Sequence, residues 1–97
     1  MKDAVRVFKA LSNDARLVII QLLSKRPMCV NALTCRLGVS QPAVSQHLKV
    51  LENAGLVRRD KRGYWVHYEL VPENLQKCAV FIQDISEEVK ENVQDEV

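Results

Sequence analysis

The spacing of apolar positions divides the chain into four helices, a hairpin and a last helix. The first helix is predicted over residues 3–11, where the apolar stripe consists of Ala4, Val5, Phe8 and Leu11. Ser12 or Asn13 is a suitable N-cap for the second helix. Because residues 17–23 are apolar nearly all round, we expect this second helix to be the central one.

End signals mark a short third helix. Pro27 stops the second helix, because its ring cannot continue the helical backbone. The third helix then fits residues 31–37, with Asn31 near its N-cap and Gly38 as its C-terminal stop.

The fourth helix is predicted over about residues 40–54. Ser40 is its N-cap, and Pro42 lies in the first turn, where the missing N–H has no intrahelical partner to lose. Gly55 ends the helix. Its buried stripe consists of Val44, Leu48 and Leu51.

After residue 56 the spacing of apolar positions changes from that of a helix to that of strands. It predicts a hairpin with strands at residues 57–60 and 64–70 and a turn at 61–63. In the second strand the better core face consists of Tyr64, Val66, Tyr68 and Leu70. The other face consists of Trp65, His67 and Glu69. We expect Trp65 to find some cover as well.

A long last helix is predicted over about residues 72–92, with Pro72 at its first position. Its apolar stripe consists of Leu75, Cys78, Ala79, Ile82, Ile85 and Val89. So broad an apolar surface needs cover, and on a small domain the natural cover is a second subunit, together with the helix at residues 3–11.

The composition is that of a single globular domain: 97 residues, 47% hydrophobic and 27% charged. No export signal and no run of about 18 apolar residues is evident, so we expect a cytoplasmic protein without a membrane span. Charge is uneven, because residues 1–71 hold 12 Lys or Arg against 5 Asp or Glu, whereas the remainder is acidic. Such a basic body favours a polyanionic partner.

The order α-α-α-α-β-β-α, mainly α with a small β-hairpin, predicts a winged helix-turn-helix with the fourth helix in the major groove of DNA. Gln and Ser suit base edges and Lys suits phosphate, while a basic hairpin suits a neighbouring phosphate run or minor groove. The candidate DNA-binding residues are Ser40, Gln41, Pro42, Ser45, Gln46, His47, Lys49, Arg58, Arg59, Lys61 and Arg62.

Three segments resemble the ArsR/SmtB family of repressors. Residues 8–17 (FKALSNDARL) resemble the family's opening signature, and residues 40–51 (SQPAVSQHLKVL) resemble its recognition helix. Residues 54–59 and 63–68 are similar to the helix exit and the wing. The resemblance implies a homodimeric repressor packed through the first and last helices, with each recognition helix in one half-site of an inverted repeat in double-stranded operator DNA, about 34–36 Å apart.

The resemblance also bears on sensing. Arsenic sensors of the family carry Cys-Val-Cys and, after two further residues, a third Cys; here Cys29 matches the first, but Asn31 and Thr34 occupy the other two positions and Cys35 comes one residue late. The family's second metal site uses Asp and His of the last helix, and residues 72–97 contain no His. A standard arsenic or zinc site is therefore not expected.

The three thiols leave several alternatives open. Cys29, Cys35 and Cys78 could form a variant site for a soft metal or metalloid, or a pair could form a redox- or sulfur-sensitive switch. Cys35 and Cys78 could equally be small buried apolar residues. An odd number of cysteines without an export signal does not favour a disulfide scaffold.

Two other function classes fit the sequence less well. A winged helix that contacts proteins without specific DNA binding is the alternative, but polar Gln41, Ser45 and Gln46 are poor anchors for a protein interface. An enzyme is not expected, because neither a Cys-x-x-Cys pair nor a nucleophile–base pattern is recognisable.

Overall fold

A computed structural model describes residues 2–95, which form five α-helices and one β-hairpin. The elements are α1 (Lys2–Leu11), α2 (Asp14–Leu23), α3 (Val30–Leu37), α4 (Gln41–Asn53), β1 (Val57–Arg62), β2 (Trp65–Leu70) and α5 (Pro72–Asp95). The strands pair antiparallel, with Val57 opposite Leu70 at the base and Arg62 opposite Trp65 at the tip. The predicted order α-α-α-α-β-β-α is confirmed.

Side-chain caps begin α2 and α4 as the sequence predicts. The Asn13 side-chain oxygen accepts the backbone N–H of Arg16 at 3.1 Å. The Ser40 hydroxyl oxygen accepts the N–H of Ala43 at 3.3 Å. Gly38 ends α3 in the left-handed region, with φ of 68°, where a residue without a Cβ is favoured. The helix-turn-helix is therefore held by local chemistry at both ends of its turn.

The start of α3 differs from the prediction that places Asn31 near the N-cap. The N-cap is Cys29, whose side chain makes no capping hydrogen bond. Its backbone carbonyl accepts the N–H of Leu33 at 3.1 Å, so the first helical residue is Val30 and Asn31 lies inside the helix, exposed. Val30 packs against the core, which favours starting the helix there.

The core lies between α2, α3, α4 and the base of the hairpin. Its fully buried side chains are Ile19, Leu33, Val44, Leu48, Leu51 and Leu56. Helix α2 is central, since it contacts α1, α3, α4 and β2. It is not covered all round, however, because Leu17 and Val18 remain exposed.

The predicted stripe of α1 is wrong at Val5 and omits two buried positions, Val7 and Ala10. Val7 and Ala10 are buried, whereas Val5 is 48% exposed. The residues of α1 that pack partly against the core are Ala4, Phe8 and Leu11. The buried arc is thus rotated away from Val5 because α1 contacts α2, α4 and α5 on the side of Val7.

The hairpin is anchored only at its base. Val57 is buried, Tyr68 and Leu70 pack against the core, and Tyr68 exchanges two backbone hydrogen bonds with Met28 at 2.8 and 3.0 Å. Trp65 finds little cover, contrary to expectation, and is 66% exposed. The cause is its place beside the turn, at the far end of the ribbon from the core; Tyr64 lies in that turn and not in the strand.

Helix α5 leaves the core after its first turns. Cys78 is buried, and Phe81 packs against Phe8 with 6.4 Å between ring centroids. Residues 82–93 are exposed throughout, and the molecule measures 61 × 25 × 24 Å. No helix within residues 2–95 has the length and apolar character to cross a membrane.

Candidate nucleic-acid interface

The face of α4 that points away from the core is polar and exposed. Its buried stripe (Val44, Leu48, Leu51) has no accessible surface, which sets the rotation of the helix about its axis. At 3.6 residues per turn this turns the intervening positions outward. The exposed residues of this face are Ser40, Gln41, Pro42, Ser45, Gln46 and Lys49. We call this set the recognition face.

The recognition face combines amide and hydroxyl groups with one cation. Amide side chains can both donate to and accept from a base edge, which a hydroxyl can also do. Ser40 already uses a lone pair to cap the helix, so its hydroxyl proton remains available as a donor. In the first turn of α4, Pro42 has no backbone N–H and the N–H of Ala43 bonds to Ser40, so the N–H of Gln41 is the one left that suits a phosphate.

His47 is the exception among the candidate residues of α4. It is half-buried and lies 3.3 Å, between Nδ1 and Nη1, from the guanidinium of Arg16. The Nε–H of Arg16 also donates to the carbonyl of Ala10 at 2.5 Å, at the end of α1. Arg16 therefore links the last turn of α1 to the middle of α4.

Apolar periodicity does not reveal Arg16, because it is a cation in the first turn of a helix whose apolar residues follow it. Its position in the segment 8–17, which resembles a family signature, was the one signal that could have singled it out.

Three of the four hairpin cations form surface ion pairs. Arg58 pairs with Glu69, Arg59 with Glu52 at 3.1 Å and Arg62 with Asp60 at 2.8 Å, and the three arginine side chains are 62–78% exposed. Exposed pairs of this kind are weak and screened by salt, so these guanidinium groups can exchange partners for a phosphate.

Two of these pairs have further consequences. The hydrogen bond to Glu69, and after it the charge of Glu69, raises the pKa of Arg58 above its ordinary value. Arg59 pairs with Glu52 of α4, which ties the hairpin to the helix that carries the recognition face. The hairpin therefore extends beside α4.

The structure separates the three thiols by environment. Cys29 is half-buried at the start of α3, Cys35 is exposed on α3, and Cys78 is buried on α5. Thr34 occupies the position of the third thiol in the family's arsenic sensors, and here its hydroxyl proton is donated to the carbonyl of Val30 at 2.8 Å. Among the side chains that the structure describes, in residues 2–93, no three His, Cys, Asp or Glu are grouped as a metal would need.

Residues 13–59 match the model of the arsR family of bacterial regulatory proteins. The chain is 38% identical over 91 residues to the arsenical resistance operon repressor of Escherichia coli strain K12. That alignment covers 93% of this chain and 78% of the repressor.

Solved structures of similar proteins share the fold. An ArsR-like transcriptional regulator from Rhodococcus superposes with a TM-score of 0.84 at 30% identity, covering 96% of this chain and 88% of the other. A homodimeric winged helix-turn-helix DNA-binding domain from Mycobacterium bovis, described as a possible ArsR-family regulator, superposes with a TM-score of 0.73 at 28% identity, covering 94% and 84%.

Proposed function

Because this chain belongs to the ArsR family of bacterial regulatory proteins, we propose that it is a transcriptional repressor that binds double-stranded operator DNA through α4 and the hairpin. The observation that carries the proposal is the recognition face, which is polar and exposed although it lies directly over fully buried leucines. A rigid helix with outward amide groups fits the major groove, which displays a distinct donor and acceptor pattern for each base pair.

Each part of the interface has a proposed role. Gln41, Ser45 and Gln46 contact base edges, since the N-terminal residues of a recognition helix reach deepest into the groove. Ser40, Pro42 and Lys49 face the phosphates that flank the groove. His47 acts indirectly, because its contact with Arg16 sets the position of α4 against α1.

The hairpin is proposed as the second DNA contact. Its cations (Arg58, Arg59, Lys61, Arg62) lie within five positions of one ribbon and extend beside α4. They are placed to meet the phosphates or the minor groove next to the half-site that α4 occupies. This part of the contact carries charge rather than sequence information.

We propose that the repressor is a homodimer held by α1 and α5. The supporting observation is the exposed apolar stripe on α5, which we call the α5 stripe and which consists of Ile82, Ile85, Val89 and Val93. Exposed apolar patches of this kind mark protein interfaces, and the similar Mycobacterium bovis domain is homodimeric. A two-fold axis then implies an inverted-repeat operator with half-sites about 34–36 Å apart.

The proposed signal for release is thiol-directed. Cys35 is exposed on α3 and Cys29 is half-buried at the N-cap of that helix, which precedes α4 in the helix-turn-helix. Oxidation or sulfur transfer would act on these thiols, and a soft metal or metalloid is the other ligand class that thiols select. A repressor that responds in this way works in the cytoplasm, where operator DNA is accessible.

The first test is fluorescence anisotropy of the reduced protein on DNA from upstream of its own coding sequence. Preference for this duplex over random duplex at the same salt concentration supports an operator-binding repressor. Equal binding to both duplexes would leave either a repressor of distant genes or the alternative, a winged helix that contacts another protein.

The same assay tests the signal. Mild oxidant and arsenite are added separately, and Cys29→Ser and Cys35→Ser variants serve as matched controls. Loss of DNA affinity under one reagent, absent in a Cys variant, identifies the thiol chemistry. Unchanged affinity under both reagents would contradict a thiol-directed signal.

A further inference from the structure

Two aromatic side chains lie at the tip of the hairpin with little cover from the described part of the chain. Tyr64 is fully exposed and Trp65 is 66% exposed. The chain contains a single Trp, two Tyr and two Phe, so it places a large share of its aromatic surface in solvent. Aromatic residues normally supply large buried area, and Trp and Tyr are enriched at contact surfaces.

The backbone holds these two side chains away from the body of the protein. Gly63 has φ of 62° and occupies the first central position of the turn, as in the type II′ turns that suit tight hairpins. The strands remain paired to their ends, where Trp65 lies opposite Arg62. The tip is therefore an ordered extension of the ribbon.

The charge around the tip argues for one occupant. Lys61 and Arg62 adjoin the aromatic pair, and the ion pair of Arg59 with Glu52 holds the ribbon beside α4. A second copy of the chain would bring the same cations to the same place, which repels. A nucleic acid brings phosphates, and its sugar and base edges offer apolar surface for an aromatic ring.

We infer that Tyr64 and Trp65 pack against the sugar and base edges of the DNA minor groove beside each half-site. This rests on the proposed function, because it requires α4 to occupy the neighbouring major groove. Apolar side chains inserted into the minor groove are a known mode of DNA contact. Such a contact releases no counterions, so it adds affinity that does not depend on salt, unlike the contacts of the neighbouring cations.

The direct test uses Trp65 as its own reporter, because it is the one Trp in the chain. The reduced wild-type protein is titrated with the upstream duplex under selective excitation of Trp. We expect its emission to be quenched or shifted in step with binding measured by anisotropy of labelled DNA.

The second test separates an aromatic contact from an ionic one. Binding of W65A, Y64A, W65F and R62A is measured over a series of salt concentrations. W65A should bind about tenfold more weakly, with an unchanged slope of log affinity against log salt concentration (the salt slope). W65F should recover most of the affinity. R62A should instead lower the slope by about 1. Thermal unfolding checks that W65A and Y64A still fold, as the exposure of both side chains leads us to expect.

The outcomes are distinguishable. Wild-type protein that shows no preference for the upstream duplex contradicts an operator in that duplex, which is a failure of the proposed function there and not of the aromatic contact. Wild-type binding with unchanged Trp emission, or wild-type affinity in both W65A and Y64A, overturns the aromatic contact alone. A lower salt slope in W65A also overturns it, because Trp65 would then be acting through Arg62. If the emission maximum, or the intensity per mole of protein, changes with protein concentration in the absence of DNA, Trp65 lies in a contact between copies of the chain.

Discussion

Helices α4 and α5 each carry an apolar stripe at helical spacing, but the structure covers only one of them. In α4 the stripe has no accessible surface, whereas Ile82, Ile85 and Val89 of α5 are 48–55% exposed. The periodicity of a sequence shows which side chains seek apolar surroundings, but not whether the same chain supplies those surroundings. For α4 the cover is the protein's own core, and for α5 we propose a second copy.

The solvent-facing sides of the two helices differ as well. The recognition face of α4 has amides, hydroxyls and a lysine, and carries no acid. The exposed half of α5 carries Asp84, Glu87, Glu88 and Glu91. Because carboxylates repel phosphate, we expect α5 to lie away from DNA while α4 lies against it. This contrast leads us to expect four effects of substitution, from the largest to the smallest.

The largest effect is expected beneath the recognition face. Leu48→Ala removes a side chain with no exposed area, so it should lower the free energy of unfolding by about 2–5 kcal/mol. Chemical denaturation measures this. Its neighbour Lys49→Ala is the matched control and should change the free energy of unfolding by at most about 0.5 kcal/mol. Similar losses in both variants would show that α4 is not held by its stripe.

A charge in the α5 stripe should act on assembly instead. Ile85→Asp places a carboxylate in the proposed interface and should raise the dimer dissociation constant by about 30-fold or more. Sedimentation velocity over a range of protein concentrations measures it. Glu87→Gln, on the opposite side of the helix, is the control and should leave the constant unchanged. A dimer that persists in Ile85→Asp would exclude the α5 stripe as its centre.

Gln46→Ala should affect selectivity more than affinity for DNA in general. Loss of a paired amide contact lowers discrimination between the correct and the wrong base by about 1–3 kcal/mol. The measurement is the ratio of the dissociation constants for upstream and random duplex at one salt concentration. An equal loss on both duplexes would contradict a base contact at Gln46.

The smallest effect is expected from Arg62→Ala. Its ion pair with Asp60 is exposed, so the fold should not depend on it. Binding should weaken uniformly on all sequences, and the slope of binding against salt should fall by about 1. A change in base preference with an unaltered slope would instead indicate that the hairpin contacts bases and not phosphates.

Local signals in the sequence were sufficient to predict the framework of the fold. Asn13 and Ser40 cap the helices they were expected to cap, and Gly38 adopts the left-handed conformation that a helix end requires. These interactions join residues a few positions apart, so the residue types alone carry the information. The rotation of α4, and with it the exposure of the recognition face, follows from Val44, Leu48 and Leu51 in the same way.

Long-range contacts accounted for the differences. His47 faces Arg16, which is distant in sequence, so its half-buried place beside α1 could not be inferred from the helix that carries it. Trp65 was expected to find cover, but a strand pattern does not reveal that the hairpin tip lies beyond the core. The rotation of α1, with Val7 inward and Val5 outward, depends on α5 in the same way.

The sequence by itself determined the order of helices and strands, their caps and the polar face of α4, because each depends on neighbouring residues and on the period of the backbone. Only the tertiary structure decided where the cover ends: along α5 it stops after Phe81 and leaves the α5 stripe exposed, and along the hairpin it stops before the aromatic tip. The physical reason is that burial depends on where distant segments end in space, and a chain of this size has too little core to cover every apolar stripe that its sequence contains.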